Sequence, residues 1–201
     1  MFANVPWYLW VILVVVTIIT IFAWTKALKA SRERRERLKR EGAIWKRDYD
    51  LRQGFTVLTD EKLKDTADTE LLHGVAMNIQ VYLENADNMN EEFGKLPDEK
   101  KFIYTLEYFD EDAKNSLSVF FKNNGAPLVP LLPSALKAVG ADKYLDIVTP
   151  LVDMYDPDSY VSVDYTAIGK ADELFKEKYD SDELTRLCAQ YIKNNKQIFL
   201  N

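Results

Sequence analysis

The sequence predicts an all-α protein: a single N-terminal transmembrane helix, a basic helical stalk, and one compact multi-helix cytoplasmic domain. Three observations predict it. Val5 to Trp24 is an uncharged, largely apolar run, and twenty helical residues rising about 1.5 Å each match the roughly 30 Å hydrocarbon core of a bilayer. Beyond about residue 55, apolar residues recur at helical spacing in segments bounded by Pro, Gly, Asp and Thr. Strand signals are scarce: the best, Tyr160 to Tyr165, alternates but has no partner run nearby. On this reading residues 1–25 are the transmembrane anchor, 26–54 a basic juxtamembrane helix and 55–201 an acidic α-helical domain.

The anchor assignment rests on its ends as well as its middle. Trp7, Tyr8 and Trp10 at one end and Trp24 at the other stand where amphipathic rings meet lipid headgroups. No charged side chain precedes the run, whereas ten Lys and Arg lie between Lys26 and Arg47, beginning with Lys26, Lys29, Arg32, Arg34 and Arg35. That bias keeps the C-terminal side in the cytoplasm and the N-terminus outside, with the lipid bilayer as first partner. A cleaved signal peptide would carry its charge before a shorter apolar core, followed by a small-residue cleavage site. The run contains no Gly, so it offers no close-packing seam to a second helix. From Lys26 to about Asp50 the chain lacks Pro and is rich in Arg, Lys, Glu, Ala and Leu, which continues the helix as a solvated stalk without a heptad.

Charge divides the chain. Residues 26–47 carry ten Lys and Arg against three Glu, a net of +7, while residues 48–201 hold 16 Lys and Arg against 29 Asp and Glu, a net of −13. A basic run beside a cytoplasmic membrane face is drawn to anionic lipid by about 1 kcal/mol per cation. It carries no aromatic interleaving for base stacking, so direct nucleic-acid binding is not expected. The single Cys188 excludes an internal disulfide and fits a reducing compartment.

The acidic part reads as a succession of helices. Thr59-Asp60-Glu61 opens a short one, and Asp68 or Thr69 caps a longer one with Leu71, Leu72, Val75, Ile79, Tyr82 and Leu83 on one side. Asn85 to Gly94 reads as a loop around a short turn. Pro97 with Asp98 and Glu99 starts the next helix, whose buried stripe is Phe102, Ile103, Leu106 and Phe109. Leu117 to Phe121 is apolar, Asn123-Asn124-Gly125 breaks it, and Pro127, Pro130 and Pro133 punctuate a rigid connection, with a helix from Pro133 to Gly140. Asp142 starts another, in which Pro150 is expected to kink or end the helix. Leu174 and Phe175 mark a helix ending near Tyr179. Asp180 with Glu183 resembles a capping box for the last, whose stripe is Leu184, Leu187, Cys188, Tyr191 and Ile192.

The chemical inventory is thin. His73 is the only histidine and Cys188 the only thiol, which excludes a His-rich or Cys-rich zinc cluster. Cys188 sits on the apolar stripe as a small buried hydrophobe, and His73 flanks its helix rather than serving as acid or base. The glycines are scattered singly, without a phosphate-binding loop. No catalytic residue, cofactor, metal or small-molecule substrate is therefore expected. Asp153 to Asp158 alternates acids but lacks the Gly and distal Glu of a calcium loop. Glu107, Asp110, Glu111 and Asp112 form an acidic cluster at a helix end, read as solvated surface and as the expected partner-binding set.

Lys101 to Gly125, Ser134 to Val148 and Ala171 to Phe199 resemble the helical domain of unknown function found in bacterial DNA-mimic proteins. The resemblance covers roughly residues 59–199, and its most specific part is the pattern Ala135-Leu136, Gly140-Ala141, Tyr144, followed by Tyr191-Ile192 and Asn194-Asn195. Relatives carry an Asn-Gly-Gly-Phe turn after a Glu; this chain keeps Glu111, Phe120, Phe121 and Asn123 but has Lys114-Asn115-Ser116-Leu117 there. The resemblance implies an all-helical fold and an acidic surface that imitates DNA phosphates and occupies a DNA-binding protein. It also places the expected membrane as the bacterial inner membrane. The resulting expectation is a membrane-tethered, non-enzymatic module whose acidic domain binds a basic or DNA-binding protein. The alternatives are a structural subunit of a larger membrane assembly and a hydrolase using the carboxylates from Glu107 to Asp112.

Overall fold

A computed structural model of the chain describes residues 7–156 and 165–200, without the side chains of residues 7–21, 23, 27 and 165. The strand-like stretch from Tyr160 to Val163, with Asp164, lies outside the described residues. Among those described every element is helical, so the all-α expectation agrees with the structure. Contacts divide the chain into two units, Met1–Tyr49 and Asp50–Asn201.

The first unit consists of most of helix α1 (Trp7–Gly54). Here the expectation of a transmembrane helix is corrected: among the described residues no helix is long and apolar enough to cross a membrane. Among the described side chains the reason is composition rather than length. The described side chains of α1 begin at Phe22, and from Lys26 onward Lys, Arg and Glu dominate an almost wholly exposed helix. The expected single-pass inner-membrane location falls with the span. Trp24, Lys26, Lys29, Arg32, Arg34 and Arg35 are exposed on α1, while the side chains of Trp7, Tyr8 and Trp10 lie outside the described set.

In the second unit the last turn of α1 leads to α2 (Asp60–Asp65), α3 (Asp68–Glu84), α4 (Met89–Lys95), α5 (Asp98–Ala113) and α6 (Leu117–Asn123). Then come α7 (Leu128–Val139), a 3-10 turn (Asp142–Tyr144), α8 (Leu145–Asp153), α9 (Tyr165–Lys178), α10 (Ser181–Asn194) and α11 (Lys196–Phe199). Side-chain oxygens start four of these: Thr59 accepts from the Lys62 N–H (3.3 Å), Asn88 from Glu91 (3.2 Å), Ser116 from Ser118 (3.1 Å) and Asp180 from Glu183 (3.1 Å). Each satisfies a donor that the first helical turn leaves without an intrahelical partner. Helix α3 has no such cap: Ala67 precedes it, and Asp68 lies inside its first turn.

Two departures from the expected boundaries have local causes. The stretch read as a loop from Asn85 to Gly94 contains α4, which has a single buried residue, Phe93, and so no apolar period to detect. Helix α7 starts at Leu128 rather than Pro133 and takes in Pro130 and Pro133. Pro130 occupies the third helical position, where an N–H has no intrahelical acceptor, and burial of Val129 and Leu132 offsets the one bond lost at Pro133. Helix α8 likewise continues past Pro150 to Asp153. Gly140 ends α7 in the left-handed region at φ 80°, with the Ala141 N–H returning to the Leu136 carbonyl at 2.8 Å, the closure for which glycine is favoured.

Helix α5 is the centre of the unit, packed against α3, α6, α7 and α10. Ile103, Leu106 and Phe109 are fully buried on it, and Phe109 meets Phe120 of α6 and Phe175 of α9 edge-on at 5.4 and 5.6 Å between ring centroids. Phe175 in turn stacks on Tyr179 at 4.8 Å. Gly74 in mid-α3 is explained by close approach: a Cβ there would meet the ring of Phe55 at 2.5 Å, so the helix accepts roughly 1 kcal/mol of lost propensity to seat that ring.

Candidate functional site

The acid-rich C-terminal half of α5 was the sequence's candidate surface, and the structure sends its four carboxylates in different directions. On an α-helix residues three or four apart lie on one side and those one or two apart diverge, so Asp110, Glu111 and Asp112 point apart. Asp110 turns inward and is 4% exposed. It accepts hydrogen bonds from the Tyr179 hydroxyl and from Ser181 Oγ (2.9 Å), and pairs with Lys114 Nζ at 2.6 Å. This carboxylate ties α5 to the junction of α9 and α10. Asp112, half-buried, accepts from Asn124 Nδ2 at 2.7 Å and Asn123 Nδ2 at 3.3 Å, holding the end of α6. Glu107 is buried against His73 of α3, and only Glu111 is exposed.

The turn that departs from the family pattern has its own clamp. Ser116 Oγ donates to Asp172 of α9, and the Leu117 N–H donates to Asp172 Oδ1 at 2.6 Å. No non-glycine residue there takes positive φ, so Lys114-Asn115-Ser116 makes the turn without glycine. Asp172 had no sequence signal, because its partners are 55 and 56 positions away.

Burial sets the ionisation of the groups around α5. It raises the Tyr179 hydroxyl well above the usual phenol range, with the Asp110 hydrogen bond adding to the effect. Burial first, and then the charges of Asp110 and Glu107, push the Cys188 thiol far up. A thiol held protonated in the core is a poor nucleophile, in agreement with the sequence reading of Cys188 as a packing residue.

A second constellation lies where α3 crosses α5. Glu107 and Glu111, one helical turn apart, face His73, whose Nδ1 contacts Glu107 Oε1. Ligand-capable atoms of these three residues all lie within 4.8 Å of one another. With Ala76, Met77, Gln80 and Tyr108 they line a cavity of about 60 Å³. Sequence reasoning placed His73 on the flank of its helix; the i, i+4 spacing of Glu107 and Glu111 was visible, but not the approach of α3.

The other acids remain largely at the surface. Glu61, Asp65, Glu70, Asp87, Glu91, Glu173, Glu177 and Asp182 are exposed. Fold and surface together define an all-helical domain with an acid-rich exterior, the class of a protein-interaction module. A family model described as DMP19-like protein matches residues 94–195, half of the chain, and the chain belongs to that family. The match runs from the end of α4 through α10, shorter than the stretch over which the resemblance was read. The matching model is that of a DNA-mimic protein domain. Neither a curated protein nor a solved structure matches the chain.

Proposed function

We propose that the domain is a non-enzymatic interaction module that holds a basic, DNA-binding protein by presenting carboxylates in the place of DNA phosphates. The observation that carries this reading is where the acidity lies. Residues 48–93 hold eleven Asp and Glu against three Lys and Arg, a net of −8. Glu61, Asp65 and Glu70 flank the start of α3 and Asp87 and Glu91 follow its end, all of them exposed. The first four have no ion-pair partner among the described residues, and Glu91 pairs only with Lys95 at 2.9 Å.

The 17 residues of α3 separate the two groups by about 24 Å, a length of roughly seven base pairs on duplex DNA. Of the α5 set, Glu111 and the half-buried Asp112 are the members that solvent reaches. Charge of this kind steers association and selects basic partners.

Changing Glu61, Asp65, Glu70, Asp87 and Glu91 together to their amides should leave the fold intact. It should weaken binding to a DNA-binding partner, recovered by cross-linking in cells, by about tenfold, since five exposed charges contribute about 0.3 kcal/mol each. Titration by calorimetry at two salt concentrations checks this: the parent complex should weaken with salt and the variant much less. An unchanged affinity with unchanged salt dependence would contradict the proposal.

A further inference from the structure

We propose that His73, Glu107 and Glu111 form a binding site for a first-row divalent transition ion of the zinc type, bridging α3 and α5. The residue chemistry suits the ion: one neutral imidazole and two carboxylates are the donors that zinc and its neighbours accept, and the two negative charges balance a divalent cation. The geometry suits it as well. The three ligand atoms lie within 4.8 Å of one another, so the widest pair needs to close by no more than about 1.5 Å, while His73 Nδ1 and Glu107 Oε1, now in hydrogen-bond contact, need to part, to reach the roughly 3.3 Å separation of neighbouring ligands in a tetrahedral site with 2.0–2.2 Å bonds.

The scaffold is rigid on both sides. Val75 and Ala76 on α3, and Leu106 and Phe109 on α5, are buried in the core beside the three ligands, so packing holds the donors in place before an ion arrives. The side chains of His73 and Glu107 are only 15% and 12% exposed, whereas Glu111 is exposed and opens the cluster to solvent. The ion would take the place of the hydrogen bond between His73 Nδ1 and Glu107 Oε1. The cavity of about 60 Å³ beside them has room for a few water molecules, which would complete the coordination left open by three protein ligands.

The test uses the full chain, freed of metal with a chelator and then titrated with Co2+ and Zn2+. Co2+ should saturate at one ion per chain and give a visible ligand-field band that Zn2+ abolishes. Zn2+ should raise the melting temperature of the parent protein. Glu111→Gln, an exposed substitution that spares folding, should weaken Co2+ binding at least tenfold, and His73→Gln should alter or remove the band. Glu177→Gln, exposed on α9, should change neither.

Absence of saturable binding would overturn the proposal. So would binding that survives both His73→Gln and Glu111→Gln, which would place the ion elsewhere on the acidic surface. A lower melting temperature in His73→Gln without any metal binding in the parent would identify His73 and Glu107 as a structural pair alone.

Discussion

Phe109→Ala should lower the unfolding free energy by about 3–5 kcal/mol, the cost of losing a buried aromatic side chain and leaving a cavity. Phe109 has no exposed surface and is the ring that α6 and α9 both contact, through Phe120 and Phe175. Its removal therefore loosens three helices together rather than one. Against a total stability of about 5–15 kcal/mol, the variant should show a markedly lower urea midpoint by circular dichroism. A loss below about 1 kcal/mol would mean that α5 is not the centre of the domain.

Asp110→Ala should cost about 3 kcal/mol, although the residue is acidic and belongs to a set that the sequence read as surface. Removing its carboxylate takes away the acceptor of the Tyr179 hydroxyl and of Ser181 Oγ, both partly buried, and the partner of Lys114. Hydrogen bonds to a charged group contribute about 1.5–3 kcal/mol each, and stranded donors add a desolvation cost. Asp110→Asn keeps an acceptor oxygen and should lose less. Hydrogen exchange should show the first turn of α10 opening more readily in the Ala variant. Equal stability of the Ala variant and the parent would remove Asp110 from the framework and return it to the candidate binding surface.

What the sequence disclosed was local. Thr59, Asp180 and Gly140 announce helix ends through their own chemistry, and the structure uses all three in those roles. The capping box at Asp180 is only half formed, because the Glu183 side chain pairs with Lys143 while the Asp180 N–H donates to the Tyr144 hydroxyl at 3.0 Å. Tyr144 and Lys143 come from the 3-10 turn before α8, an approach that no local pattern announces.

The same limit governs the acidic set on α5. Four acids in six residues look alike in sequence, yet Asp110 is made structural by Tyr179 and Ser181, which follow it by 69 and 71 positions. Glu107 is sequestered by His73, 34 positions before it. The stripe of α10 was displaced for a related reason: Thr185 and Ala189 are buried beside Leu184 and Cys188, while Leu187 and Tyr191 are half-exposed. The transmembrane expectation came from apolar composition near the start of the chain, whereas the described side chains of α1 are chiefly charged.

The central claim is that this acidic domain occupies a protein surface built for DNA, and competition tests it most directly. A DNA-binding partner recovered with the full chain is titrated with duplex DNA carrying its own site, at fixed salt, while the bound chain is followed by fluorescence anisotropy. The account predicts mutual exclusion: DNA displaces the chain, the chain displaces DNA, and both complexes weaken as salt rises. A stable ternary complex of partner, DNA and chain would contradict it.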